Sequence, residues 1–405
     1  MRAYERLVKY VQVHTASIED LSRTPSTERQ FDLSRLLAEE MTALGMEGVF
    51  VDEHAYTYGF LPAAPGCEDW PKIAFNAHLD TIPDFPGENV KPTLHEDYDG
   101  GDVKLGESGR VLSVKDFPHL PSLKGKTLIT TDGTTVLGAD DKAGIAEILT
   151  MCERLIAEKR LHGRVAVCFS PDEEVGHGAA LLDLERLDAD FAYTVDGGAP
   201  NTINYETFNA STALWELHGF NVHPGSAKDT MINANLVAME VNALLPAAER
   251  PEHTEGHEGF YHLTDMHGDV AKAMLSYIIR DHDAASFADR ERTMRQIEKY
   301  INEKYGAGTA KLTLRPSYRN MAEKLSERMD IVERAERAIE KAGLVPARVP
   351  VRGGTDGAQL SFRGLLCPNL GTGGYAFHGP FEHIAAEDMD LMVEILLNIV
   401  CSGRD

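Results

Sequence analysis

Four times along this chain an apolar, β-forming run ends at a histidine or a carboxylate. KIAFNA leads to His78 and Asp80, TTVLGA to Asp140 and Asp141, RVAVCFSPD to Glu173 and Glu174, and FAYTV to Asp196. A glycine-rich fifth run, GTGGYAF, leads to His378. Continuous apolar runs of this kind belong to strands buried on both faces, in sheets covered by helices. In such α/β sheets, loops beyond the carboxyl ends of the strands converge over a rigid scaffold, and ligands bind there. The pattern therefore predicts an α/β fold with titratable groups gathered along one sheet edge.

The intervening sequence supplies the helices. Ser26 and Thr27 form a start signal, Thr27 to Gln30 has capping-box spacing, and Leu33, Leu36, Leu37, Met41 and Leu44 then follow at helical spacing before Gly45. A second helix is expected over 142–158. From about residue 208 the texture changes to alternating strands such as ALWELHGF, MLSYIIRD and AKLTLRPS, separated by helical patterns over 230–245 and 286–305. After Asn320 the α/β texture returns, with a helix over 331–342, the glycine-rich VRGGTDGAQL and a closing helix over 389–400. The expected organisation is an α/β domain over 1–207 and 319–405, interrupted by a compact α+β domain over 208–318. The segment 91–123, rich in Gly, Asp and His, reads as a long, mostly irregular excursion.

Composition narrows the function. With 64 acidic against 40 basic residues the formal net charge is −24. Nucleic acid binding needs clustered Lys and Arg to neutralise phosphates, and an anionic membrane surface is disfavoured for the same reason. The greasiest stretch, LMVEILLNIV, is broken by Glu394 and Asn398, so no membrane-spanning helix is expected. Five widely spaced cysteines without a CxxC predict reduced thiols, and the charged start MRAYERLVKYVQ lacks an apolar signal core. A soluble cytoplasmic protein is expected.

Two histidines with three carboxylates are the mixed nitrogen and oxygen donor set that zinc accepts, and an HxD pair lets the aspartate orient the ring. Other hydrolase chemistries fit poorly. HEGFYH at 257–262 has one residue too many to stack both histidines on one helical face, and no GxSxG occurs. A non-catalytic alternative is a two-domain protein that closes on a peptide without cleaving it; it would need no base such as Glu173 beside the ligands.

The motifs HLD at 78–80, LGADDKAG at 137–144, FSPDEEVG at 169–176, YTVDGG at 193–198, HPG at 223–225 and RGGTDGAQ at 352–359 resemble the aminoacylase-like di-zinc metallopeptidases. The likeness extends through PSTERQ, GGDVKLG, LITTDG, TEGHEGFYHL, YIIRD and CPNL. It implies a zinc-peptidase-like catalytic domain with an inserted lid domain that also serves dimerisation. It further implies two Zn2+ ions per subunit, Asp140 bridging them, His78 and Asp196 completing one site and Glu174 and His378 the other. Glu173 falls on the family's general base and Asp80 on the carboxylate that orients His78. His223 falls on a lid histidine that often acts across a dimer, and Arg280 on a lid arginine; Arg352 is a second candidate for the substrate carboxylate. His177 and His383 are read as bystanders. The implied activity is removal of the N-terminal residue from tripeptides, so the expected partner is a short peptide. Dipeptidases and N-acyl amino acid hydrolases share the metal site and are the alternatives. HGPFEH, starting at His378, departs from the expected pattern in having few polar residues before Glu382.

Overall fold

Alternate residues of three neighbouring parallel strands face two separate cores. Ala74, Ala166, Cys168 and Ala192 pack into the smaller one, with Tyr56, Tyr58 and Leu360. Phe75, Val167, Phe169 and Tyr193 face the larger one, which also takes Leu7, Leu33, Leu149 and Leu396 from helices. Each large apolar side chain buried in this way stabilises by roughly 1.5–3 kcal/mol, so both faces of the sheet are fixed by helices or loops.

The computed structural model describes residues 1–19 and 22–403. Its eight-stranded sheet runs in the order Glu47–Val51, Thr57–Leu61, Val165–Ser170, Ile73–His78, Phe191–Gly197, Asn369–Gly371, Thr202–Asn204 and Ala347–Arg348. The strand Ile73–His78 is parallel to Val165–Ser170 and to Phe191–Gly197, and His78 stands opposite Ser170. Parallel pairing brings the carboxyl ends of these strands to one edge, the arrangement the sequence pattern demands. Helices Ala3–Tyr10, Gln30–Leu44, Ala139–Glu158, Met329–Lys341 and Ala386–Val400 contribute buried faces to the larger core.

Three local expectations differ. TTVLGA forms no strand; the nearby strand is Leu128–Thr130, in a separate four-stranded sheet. The N–H groups of Leu137 and Gly138 instead donate to the Glu382 carboxylate at 2.7 and 2.9 Å. The helix after Ser26 starts at Gln30 behind Arg29 without a side-chain cap. The Thr27 hydroxyl donates to the Ala16 carbonyl, and the Gln30 amide reaches Asp172, so tertiary bonds take the capping atoms. The 91–123 excursion is more ordered than its composition implies. It contains strands Thr93–His95, Val103–Lys104 and Val111–Leu112, and a core of its own around Tyr98, Leu105, Leu112 and Leu120.

The chain divides into two units. The larger comprises 1–205, 324–349 and 355–405; the smaller comprises 206–323 and 350–354. Compared with 208–318, the smaller unit is longer at both ends and recovers a short return segment, because Val351 bridges Thr207 and Phe208 N–H donates to the Gly353 carbonyl. It is an antiparallel sheet in the order Phe260–Gly268, Lys272–Asp281, Asn209–His218 and Ala310–Tyr318. Helices Ala234–Ala243 and Ala284–Tyr305 close its core around Trp215, Leu275, Tyr277 and Met294.

Candidate metal centre

His78 ends its strand with its side chain 2% exposed. Its N–H donates to Asp141 Oδ2 at 3.1 Å. Its Nδ1 lies 3.0 Å from the Asp80 carbonyl and 3.4 Å from Asp80 Oδ1, so Nδ1 carries the proton and Nε2 faces the centre. There Nε2 meets Asp140 Oδ1 at 2.9 Å and Asp196 Oδ1 at 3.6 Å. The other oxygen of Asp140, Oδ2, is 3.0 Å from His378 Nε2, which is also 3.2 Å from Glu174 Oε2. Asp140 thus offers one oxygen to each histidine.

Buried carboxylates hold the turns that carry these groups, by accepting backbone N–H groups. Asp80 was expected to orient His78 through its carboxylate. The nearer contact is its carbonyl, while Oδ1 and Oδ2 accept Glu173 N–H at 3.0 Å and Glu174 N–H at 3.2 Å. Adjacent glutamates in an extended segment would point to opposite sides. Here Asp172 is left-handed at φ 57°, and Glu173–Val175 is a 3-10 turn, so the backbone bends. Asp172 itself accepts from Ser26 N–H at 2.7 Å, Ser26 Oγ at 2.6 Å and Gln30 Nε2 at 2.7 Å. Glu382 accepts from Leu137, Gly138 and Asp140 N–H, fixing the turn into Asp140. These supports, and Asp141, were not assigned from sequence. The only prior signal was an acid within a buried-type motif, which does not say what the acid holds.

The electrostatics favour a cation. Burial and then the Asp140 charge push Glu174 up to about 7, and burial, with the same charge adding, takes Asp196 to about 6. Hydrogen bonds to Asp140 and Glu174 push His378 up to about 11. Burial opposes the charging of His78, but hydrogen bonds to Asp140 and Asp196 outweigh it and raise its pKa well above the usual value. Two imidazolium ions therefore supply the positive charge that the carboxylates require. Two overlapping donor groups, His78–Asp140–Glu174 and His78–Asp141–Asp196, each have their atoms within 4.8 Å of one another. Such spacing and the mixed donor set suit metal bonds of about 2.0–2.2 Å. Asp141 is the least available of these, since its oxygens accept His78 and Gly144 N–H groups.

Glu173 stands apart. No hydrogen bond or ion pair to its carboxylate occurs among the described residues, and burial followed by the Asp196 charge pushes its pKa well above the usual value. Asp356 is buried beneath the same sheet edge, accepting from Ser170 Oγ at 2.6 Å and Asn76 Nδ2 at 3.2 Å. His383 is fully buried with Nδ1 on the Phe381 carbonyl and Nε2 on His119, away from the donor groups.

The remaining candidates lie in the smaller unit. His223 is exposed, and its Nδ1 accepts Gly225 N–H at 3.1 Å, which leaves the proton on Nε2. Arg280 is partly buried over the Tyr318 ring at 4.9 Å and has no carboxylate partner among the described residues. Arg352, expected to be available to a substrate carboxylate, spends both Nη groups on the Thr254, Gly256 and Glu258 carbonyls and the Thr254 hydroxyl, and stacks on Phe208 and Phe260. Its donors hold a loop of its own unit.

The model of peptidase family M20/M25/M40 matches residues 136–402. Peptidase T of Clostridium perfringens strain 13 is 50% identical over 401 residues, covering 98% of both chains. Among solved structures, the aminopeptidase PepT from Bacillus cereus superposes with a TM-score of 0.78 at 23% identity, over 98% of this chain and 97% of the other. A dinuclear metal-binding M20 peptidase from Bacillus subtilis does so with a TM-score of 0.67 at 14% identity, over 99% and 98%. The chain belongs to peptidase family M20/M25/M40, and the curated relatives it matches over 98% of its length are peptidases T.

Proposed function

We propose that this enzyme is a tripeptide aminopeptidase that holds two Zn2+ ions, with Asp140 between them, His78 and Asp196 at one and Glu174 and His378 at the other. The observation that carries the reading is Asp140, which turns one oxygen to each histidine, with a Glu173 carboxylate nearby that has no partner among the described residues. Bound ions of this kind acidify water and polarise a carbonyl. Glu173 then accepts the proton of the attacking water and delivers it to the departing amine as the C–N bond breaks. A carboxylate with no competing hydrogen bond among the described residues is available for both transfers. His223, with its proton on Nε2, is the candidate donor to the developing oxyanion. Arg280, a cation without an acid partner among the described residues, suits the free carboxylate of a short peptide through two parallel N–H bonds.

Surfaces and thiols support a reading of assembly and location. Leu236 and Met239 on helix Ala234–Ala243, and Phe220 bridged to Ile232 just before it, are 61, 59 and 55% exposed. This apolar surface supports a homodimer formed through the smaller unit. Five free cysteines support a reducing, cytoplasmic setting, and no helix among the described residues is long and apolar enough to cross a membrane.

The test compares wild type and Glu173→Gln on free di-, tri- and tetrapeptides and an N-acetylated tripeptide. Wild type should prefer the free tripeptide and release its N-terminal residue. Glu173→Gln should keep its metal content while losing about 10²–10⁴-fold in turnover. Preferential cleavage of the blocked peptide, or an active Gln variant, would overturn the proposal.

A further inference from the structure

His378 sits in an unfavourable backbone setting, with its ring paired to Asp140 and Glu174. Its φ is 65° and that of Ala376 is 55°, both left-handed without being glycine. Such conformations persist only where the surroundings over-determine them. Burial does not do this for His378, whose side chain is 49% exposed. The loop is the tip of a hairpin in which Gly374–Tyr375 pairs antiparallel with His383–Ala385, Tyr375 standing opposite His383.

The 91–123 excursion grips the base of that hairpin on both strands through one side chain. The His119 ring stacks on Tyr375 with centroids 4.1 Å apart and planes at 22°. Its Nε2 lies 2.8 Å from His383 Nε2. His383 directs Nδ1 at the Phe381 carbonyl, 2.7 Å away, and so carries its proton there; Nε2 is left as the acceptor of the His119 N–H. Burial keeps both rings neutral, lowering His119 and taking His383 down to about 4, so the N–H···N bond survives at neutral pH. Phe117 packs on Phe381 at 5.5 Å, and Ala385 enters the core of the excursion.

We propose that His119 is a positioning residue that braces the His378 hairpin, so that the excursion sets the geometry of the His378 end of the metal centre. The inference rests on the reading of His378 as a ligand.

The test is Zn2+ titration of the metal-free full chain, by calorimetry with a competing chelator, for wild type, His378→Ala, His119→Ala and His119→Gln. Wild type should bind two ions, and His378→Ala should identify the one that depends on His378. His119→Ala should bind that ion about 10–100-fold more weakly, the usual loss when a group supporting a ligand is removed, with the other ion less affected. His119→Gln, which restores an N–H toward His383, should recover part of the loss. An unchanged second affinity in His119→Ala, with two ions in wild type, would overturn the brace alone. Equal weakening of both ions with a lower melting temperature of the metal-free protein would also overturn it, since that marks general destabilisation. A wild type in which no ion depends on His378 would overturn the ligand reading and the brace together.

Discussion

The two histidines of the centre reach it by opposite routes. His78 ends a strand in which every residue is buried, and its ring is held by the Asp80 carbonyl two residues along the chain. His378 stands half-exposed on a left-handed hairpin loop. One position follows from the core sheet, which must form for the chain to fold at all. The other depends on a loop whose restraint comes from a distant segment. A metal centre built on these two histidines would have a rigid end and an adjustable end, and the two should differ in whatever is measured.

The largest difference should appear in the stability of the metal-free protein. His78 supplies the positive charge among Asp140, Asp196 and Asp80, and is almost fully buried. Removing one partner from a buried ionic group leaves the others uncompensated, which costs about 3–5 kcal/mol. His378→Ala removes two ion pairs to buried carboxylates from a half-exposed ring, which solvent screens, so its loss should be the smaller one. Urea unfolding of metal-free His78→Ala and His378→Ala should show this gap. Equal losses would mean that the distinction between the ends is wrong.

Protons give the next effect. At pH 7 the metal-free His378, pushed up to about 11, is protonated and must lose that proton to bind a metal. Metal binding should therefore release protons, and affinity should tighten by about tenfold per pH unit for each proton displaced. Calorimetry in buffers of different ionisation heat should find about one proton fewer in His378→Ala. Glu174 adds a term in unfolding. Its folded pKa of about 7 lies above the ordinary 4.5, so the fold favours its neutral form. The metal-free protein should lose stability as pH rises from about 4.5 to 7, where the unfolded carboxyl ionises first. Bound metal should remove that slope.

The same contrast explains what could be read from sequence. The apolar runs ending in His78, Glu173 and Asp196 announce themselves because strand burial and ligand position share one cause. TTVLGA looks alike but forms no strand, since its N–H groups are taken by Glu382, an acid some 245 residues away. Nothing local distinguishes a carboxylate that will accept three backbone N–H groups from one that will face water. His119 was equally invisible, because its partners Tyr375 and His383 meet it only through tertiary packing across the excursion. Likewise, only the structure shows that the donors of Arg352 are already committed.

Glu174 is the mixed case, and it offers the finest test. Its carboxylate faces His378, yet its N–H is held by Asp80 on the core side, and the turn before it is held by Asp172. Ser26→Ala removes the 2.6 Å bond from Ser26 Oγ to Asp172 and the acceptor for Ile18 N–H. The Ser26 N–H, the Gln30 amide and both Asp80 bonds remain. The two lost hydrogen bonds should together cost about 1–3 kcal/mol of stability. The affinity of the His378-dependent ion should fall by less than tenfold, because the turn stays anchored to the sheet. A larger fall in that affinity, with stability unchanged, would place Glu174 with the adjustable end; a loss of stability alone would place it with the rigid one.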